Sequence, residues 1–183
     1  MHVETRDGVN FALKIIGSAG LDGILVPANT PKDALNKLLA KASAKSADQT
    51  RILTELRRQR LIEIKKTEGG ICFILSLAGA YRLEKLIVEE LEIPKPKKWD
   101  GFWRAVTFDV PLEHSRERAA FTSQLQRLGF YMIQKSFWVY PYPCFEQLEQ
   151  LGGYYNVLRY CTLFEVNSFD KISEKRLLNH FGN

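Results

Sequence analysis

The sequence predicts an α+β protein built from two small domains that follow one another along the chain. In the first half, helical periodicity surrounds two strand-like runs that are joined by a Gly-Gly turn. In the second half, strand-like and helical runs alternate. Between the halves, two prolines separated by one residue end a helix and favour an extended, fairly stiff connection. We therefore expect a domain over residues 1–91, a linker over 92–100 and a second domain over 101–183.

The first half has the outline of a winged helix-turn-helix domain. Thr30 and Pro31 suit the N-cap and the first turn of one helix, and Ser46 suits the N-cap of the next. The Gly-Gly turn within residues 67–70 lies between β-branched runs, which is a hairpin signal. A helix-turn-helix followed by a hairpin is typical of a winged helix. After an N-terminal helical layer, the predicted elements are helices over about 31–42, 47–60 and 78–91, and strands over about 61–66 and 71–77.

The second half has the strand–helix–strand–strand–helix–strand order of a ferredoxin-like (βαββαβ) domain. Gly129 suits the position after a helix, and Gly152-Gly153 is expected to interrupt a second helix. We expect helices on one face of the sheet, with an open face and free edges that favour a twofold partner. The tail residues Leu177, Leu178 and Phe181 are expected to dock onto a neighbouring surface. The predicted elements are strands over about 103–110, 130–134, 136–140 and 157–166, and helices over about 113–128 and 144–155.

Composition places the chain among globular soluble proteins. Of its 183 residues, 45% are apolar and 26% are charged, so a core can form in one ordinary domain or two small ones. Three widely spaced cysteines without a CxxC pair indicate neither a disulfide framework nor a zinc ribbon, and they favour the cytoplasm. Asp22 interrupts the apolar stretch at residues 11–26, so we expect neither a signal peptide nor a membrane partner.

The positive charge is concentrated in one short region. Residues 37–66 carry nine basic and three acidic residues, a net charge of +6, whereas the whole chain carries +5. The other 153 residues therefore have a net charge of −1, which follows from the same counts. Such a concentration is typical of a surface that contacts phosphates, and a merely solvated basic face is the alternative.

The predicted third helix has the pattern of a DNA-recognition helix. At 100° per residue, Ile52, Leu53 and Leu56 share one face with the stem of Arg60, while the opposite stripe is polar and basic and contains no acid. Arginine can pair bidentately with guanine, and threonine suits a phosphate or a thymine methyl group. A solvated helix in a protein–protein module is the alternative. The predicted DNA-binding residues are Lys45, Thr50, Arg51, Thr54, Arg57 and Arg58, together with Lys65 and Lys66 on the first hairpin strand.

One stretch of the second half resembles a known family. Phe108-Asp109-Val110 is similar to the end of the first strand of the CRISPR-associated endonuclease Cas-two (Cas2) and of the Cas2-like domain in PaaX-type transcriptional repressors. The resemblance covers residues 99–183, and the preceding winged helix is similar to the PaaX arrangement. The further positions that carry it are Arg116 or Arg118, Leu125, Gly129 and Gln134-Lys135-Ser136.

The resemblance implies two alternative functions. In active Cas2 proteins the matching aspartate is thought to hold a divalent metal at the dimer axis, so Asp109 would be both metal ligand and catalytic residue, with Mg²⁺ or Mn²⁺. In a PaaX-type repressor no cofactor is expected. Because arginines follow Asp109, an ion-paired or capping role is the structural alternative to catalysis. We expect a homodimeric repressor that binds palindromic double-stranded DNA, with a metal-dependent nuclease and a protein-binding adaptor as alternatives.

Overall fold

The computed structural model describes residues 3–40 and 49–182, with side chains from residue 5 onward. Within these residues the protein is α+β, with two antiparallel sheets and helices in both halves, so the predicted fold class is confirmed. The chain divides into two compact units, Met1–Ile87 and Val88–Asn183. No helix in the described part of the chain is long and apolar enough to cross a membrane.

The N-terminal unit has the element order of a winged helix. Its three-stranded antiparallel sheet has the order β1-β3-β2, in which the hairpin β2-β3 is extended by β1. The predicted capping of α2 is present, because the Asp33 amide donates to Thr30 Oγ1 at 3.2 Å. The elements are α1 (Val3–Gly17), β1 (Ile24–Val26), α2 (Pro31–Ala40), α3 (Gln49–Arg58), β2 (Ile62–Thr67), β3 (Gly70–Leu75) and α4 (Leu77–Glu89). Ser46, the predicted cap of α3, lies outside the described residues.

Strand β1 is absent from the sequence-based prediction, which placed its residues in a helical layer. It has three residues, too few for an alternating pattern to show. Gly23 allows β1 to lie close to β3, since it has a φ of 76° and an added Cβ would lie 2.3 Å from the Phe73 carbonyl oxygen. Gly23, directly before β1, is therefore the sequence feature that could have indicated this strand.

The C-terminal unit has a four-stranded antiparallel sheet of order β5-β6-β4-β7, the ferredoxin-like arrangement. Its elements are β4 (Trp103–Phe108), α5 (Ser115–Arg127), β5 (Tyr131–Gln134), β6 (Phe137–Tyr140), α6 (Phe145–Tyr154), β7 (Cys161–Val166) and α7 (Lys171–Phe181). Short 3-10 turns at Leu112–His114 and Leu158–Tyr160 replace the first residues of the helix predicted over about 113–128 and of the strand predicted over about 157–166. Helix α6 continues through Gly152-Gly153, so the predicted interruption is wrong.

Both faces of this sheet are covered, which differs from the expected open face. On one face, Val106 and Trp138 belong to a core that includes residues of α5 and α6. On the other face, Leu177 of α7 is fully buried with Trp103 and Val139. This second face is also apolar, and α7 of the same chain covers it, so no second chain is needed to bury it. The docking surface for the tail is therefore this unit's own sheet.

The segment predicted as a linker has no regular secondary structure over residues 92–98, as expected for proline-rich chain, and contributes one residue to a core. Ile93 is nevertheless buried in the core of the C-terminal unit. The boundary between the two units falls after Ile87, inside α4, and the predicted domain assignments stay predictions.

Candidate nucleic-acid interface

The two faces of α3 have different chemistry. Ile52, Leu53 and Leu56 are buried in the core of the N-terminal unit. The residues predicted to contact DNA are exposed on this helix, namely Thr50, Arg51, Thr54, Arg57 and Arg58. Lys45, a further predicted contact, lies outside the described residues. The structure thus brings five of the eight predicted residues together on one helix.

Thr54 has part of its hydrogen-bonding capacity used within the helix. Its Oγ1 donates to the Thr50 carbonyl oxygen at 2.7 Å, one turn earlier. With its proton committed, the hydroxyl can only accept, so Thr54 offers the outside an oxygen lone pair and a methyl group. A methyl group suits apolar contact with thymine better than it suits a phosphate, which needs a donor.

Arg58 is held by the acidic side chain of Glu55, one turn earlier on α3. Its Nε donates to Glu55 Oε2 at 2.9 Å and its Nη2 donates to Glu55 Oε1 at 2.5 Å. Gln59 also donates to Glu55 Oε1. Hydrogen bonds from Arg58 and Gln59 lower the pKa of the Glu55 carboxyl from 4.5 to about 2. We call this arrangement the Glu55–Arg58 clamp, and an acid three residues before an arginine on a helix was the signal for it.

The end of α3 is fixed to the start of α4. Arg60 has a φ of 53°, and the next amide, of Leu61, donates back to the Leu56 carbonyl at 2.9 Å, which closes the helix. Ser76 Oγ donates to the Arg60 carbonyl at 2.6 Å and accepts from the Gly79 amide at 3.0 Å. One serine therefore joins the end of the candidate recognition helix to the first turn of the next helix.

The hairpin lysines do not share a face. Lys65 pairs with Cys72 and Lys66 with Ile71, and both lysines are exposed. Because successive strand residues point to opposite faces, Lys66 lies on the side of Ile64, which contacts the core, and Lys65 on the other side. A DNA duplex along a single face of the hairpin would therefore meet the two lysines unequally, and their contact with DNA stays a prediction.

Asp109 lies in the C-terminal unit, directly after β4. It is exposed, and its backbone amide donates to the Tyr160 carbonyl at 3.1 Å. Among the residues that the structure describes, no group of three or more His, Cys, Asp or Glu side chains could hold a metal ion. A site with one Asp109 from each of two chains is a different arrangement, and the metal role of Asp109 stays a prediction.

Cys144, which is buried, and Cys161, which is partly buried, are poor candidates for nucleophiles. Burial raises the pKa of the Cys144 thiol to about 12 and that of the Cys161 thiol to about 11. A nucleophilic cysteine needs the thiolate, which neither group forms near neutral pH. Cys144 lines a cavity of about 580 Å³ together with Arg104 and Glu165, whose charges are paired with each other.

The family model of the PaaX protein central Cas2-like domain matches residues 96–178. The C-terminal unit is therefore similar to the Cas2-like domain of PaaX proteins. The resemblance predicted from Phe108-Asp109-Val110 and the residues after it is confirmed. The match spans somewhat less than half of the chain, and the winged-helix residues lie before it. Neither curated proteins nor solved structures give a match.

Proposed function

We propose that the protein is a homodimeric, sequence-specific regulator that binds double-stranded DNA, in the manner of a PaaX-type repressor. The observation that carries the proposal is the exposed face of α3, which presents threonines and arginines, with Glu55 as the one acid beside them and paired with Arg58. The excess positive charge of the chain lies in the same region of the sequence. A helix that only faced solvent would need no such separation of charge.

The PaaX-type Cas2-like domain supports a role in pairing two chains. Within the described residues, β5 and β7 each hydrogen-bond to one neighbouring strand, so each has a free edge. The open sheet face is no longer a candidate interface because α7 covers it. We propose that the twofold contact uses an edge of the sheet, which would give one recognition helix per chain and a palindromic site with half-sites about 34 Å apart or a multiple of that distance.

The experiment that tests this function is selection of bound sequences from a random duplex pool without added metal, combined with light scattering on the eluting complex. We expect one enriched palindrome and a mass of two chains. If the protein is instead a protein-binding adaptor, it should have no DNA affinity even at low salt. That result would contradict the proposal. Enrichment of a single, non-repeated site with one chain bound would remove the dimer from it.

Substitution of Arg58 and of Lys66 should separate base recognition from phosphate binding. Arg58→Ala is expected to lower discrimination at one position of the site by about 1–3 kcal/mol, because a bidentate contact to a base is lost. Lys66→Ala is expected to weaken all duplexes alike and to reduce the log–log salt slope by about 0.9, because one phosphate contact is lost. Lys171→Ala, an exposed lysine at the start of α7, is the control. These roles would be contradicted if Arg58→Ala, like Lys66→Ala, lost affinity equally on specific and random duplex.

The alternative function is a divalent-metal nuclease of the Cas2 type that uses Asp109 with Mg²⁺ or Mn²⁺. The match of its domain to a Cas2-like family favours testing it. Duplex and single-stranded substrates are incubated with either metal, and the wild type is compared with Asp109→Asn. We expect no cleavage above that of the variant. Metal-dependent cleavage that disappears in Asp109→Asn would place the enzyme function first.

A further inference from the structure

The Glu55–Arg58 clamp leaves one edge of the arginine available. A guanidinium carries five N–H groups, and the carboxylate accepts from Nε and from one hydrogen of Nη2. The Nη1 group and the second Nη2 hydrogen point away from Glu55. These atoms form the end-on edge of the guanidinium, a pair of parallel donors that matches the O6 and N7 acceptors of guanine.

The difference in burial between Glu55 and Arg58 indicates that the glutamate orients the arginine. The Glu55 side chain is 15% exposed, whereas that of Arg58 is 68% exposed. Gln59, in the turn directly after α3, donates to the same carboxylate. The acid is therefore the anchored partner, and the long arginine chain, which otherwise has many rotamers, is oriented by it.

The clamp also changes what Arg58 can do electrostatically. A guanidinium that is already paired with a carboxylate contributes little net positive charge, so it adds little to phosphate attraction. The carboxylate next to it repels the phosphates of any duplex. A base edge, which presents fixed acceptors without a full charge, does not lose from this pairing.

We propose that Glu55 is a positioning residue that presents Arg58 for bidentate recognition of one guanine and that lowers affinity for DNA of other sequences. The inference rests on the proposed function, since it concerns the same helix. Its signature is a pair of opposite effects: removal of the acid lowers base discrimination and raises non-specific affinity. A purely structural role of Glu55 in α3 would lower both.

The test compares Glu55→Gln, Glu55→Ala, Arg58→Ala and the double variant Glu55→Gln/Arg58→Ala with wild type. Each is titrated with the selected duplex, with duplexes in which each guanine is replaced by adenine, and with random duplex. For Glu55→Gln we expect discrimination at one guanine to fall about tenfold. Affinity for random duplex should rise about threefold, because one negative charge has been removed near the phosphates.

The matched control is Glu63→Gln, which removes the same charge from an exposed glutamate on β2 of the same unit. It should leave discrimination unchanged. In the Arg58→Ala background, Glu55→Gln should produce no further loss of discrimination, because its effect passes through Arg58. Thermal unfolding of each variant shows that the unit is folded.

Full discrimination in both Glu55 variants, or a parallel loss of specific and random affinity, would overturn the inference and leave the proposed function standing. An additional loss of discrimination in the double variant would also overturn it, because Glu55 would then act without Arg58. Failure of the proposed function can be distinguished from failure of the inference, because the wild type would then bind DNA without sequence preference or not at all. That result would contradict the inference as well.

Discussion

Gly79→Ala is expected to destabilise the N-terminal unit by about 3 kcal/mol, although alanine normally favours a helix. A Cβ at this position of α4 would lie 1.9 Å from the Leu61 carbonyl oxygen and 2.9 Å from the carbonyl carbon. Both are backbone atoms, so no side-chain rotation relieves the overlap. The Leu61 carbonyl also accepts from the Ser76 amide at 3.1 Å, so a shift of this backbone would break the junction between α3 and α4.

Gly153→Ala is the matched control, with the opposite expected sign. Gly153 is also helical, in α6, but an added Cβ would have no neighbour within 4 Å. Alanine there should stabilise the C-terminal unit by about 0.5–1 kcal/mol, because glycine loses more backbone entropy on folding. The two substitutions are chemically identical, so their difference isolates the close approach at Gly79.

The chain's tryptophans help to measure the two effects separately. Trp99, Trp103 and Trp138 are its three tryptophans, and all lie in the C-terminal unit. Denaturant unfolding followed by tryptophan fluorescence therefore reports Gly153→Ala, and hydrogen exchange of amides in α3 and α4 reports Gly79→Ala. Wild-type or higher protection in Gly79→Ala would show that the backbone accommodates the methyl group and would contradict the prediction.

The parts of the fold that were predicted from the sequence are those whose signal is local. The apolar periodicity of α3 and the glycine-containing hairpin turn, which the structure forms at Glu68-Gly69, required no knowledge of distant residues. The cover of the second sheet face by α7 depends on long-range packing of Leu177 against Trp103, which no local pattern specifies. Gly152-Gly153 was misjudged for a similar reason, because an added Cβ at Gly152 would meet Leu158 at 3.2 Å, so this glycine permits close packing within a continuous helix.

In the candidate site, too, some features follow from local geometry and others do not. Exposure of Arg51, Thr54 and Arg58 follows from helical geometry, and the structure has all three exposed. The engagement of Arg58 by Glu55 depends on rotamers, and the helical spacing permits it without requiring it. The separation of Lys65 from Lys66 follows from strand alternation and could have been predicted.

Loss of Asp100 is expected to be the most costly polar substitution in the C-terminal unit, at about 3 kcal/mol for Asp100→Ala. Arg104 is the buried arginine of β4, with 7% of its side chain exposed. Its Nη1 and Nη2 donate to the two Asp100 oxygens at 2.8 and 2.6 Å. Asp100 also accepts from the Phe102 amide at 3.0 Å. Removal of the Asp100 carboxylate leaves the buried Arg104 guanidinium without this anion. A buried charge that loses its partner is strongly destabilising.

The partners of the same network should be less costly to replace. Glu165→Ala removes one contact, of 3.3 Å, to Arg104 Nε, and should cost about 1 kcal/mol. Arg104→Met should also cost less than Asp100→Ala, because the carboxylates of Asp100 and Glu165 are 42% and 49% exposed and can be hydrated once the arginine is gone. Tryptophan fluorescence during denaturant unfolding measures all three. Equal costs for Asp100→Ala and Glu165→Ala would contradict this view of the network.

Acid provides an independent check on Asp100. Hydrogen bonding from Arg104 lowers the pKa of the Asp100 carboxyl from 3.8 to about 2. A carboxyl whose pKa is lower in the folded state stabilises the fold above its unfolded value and loses that contribution as the pH falls through the folded value. The stability gap between wild type and Asp100→Ala should therefore be constant above pH 5 and shrink between about pH 4 and pH 2. A gap that keeps its full size at pH 2 would mean that the charge of Asp100 does not contribute to stability, and that only its packing does.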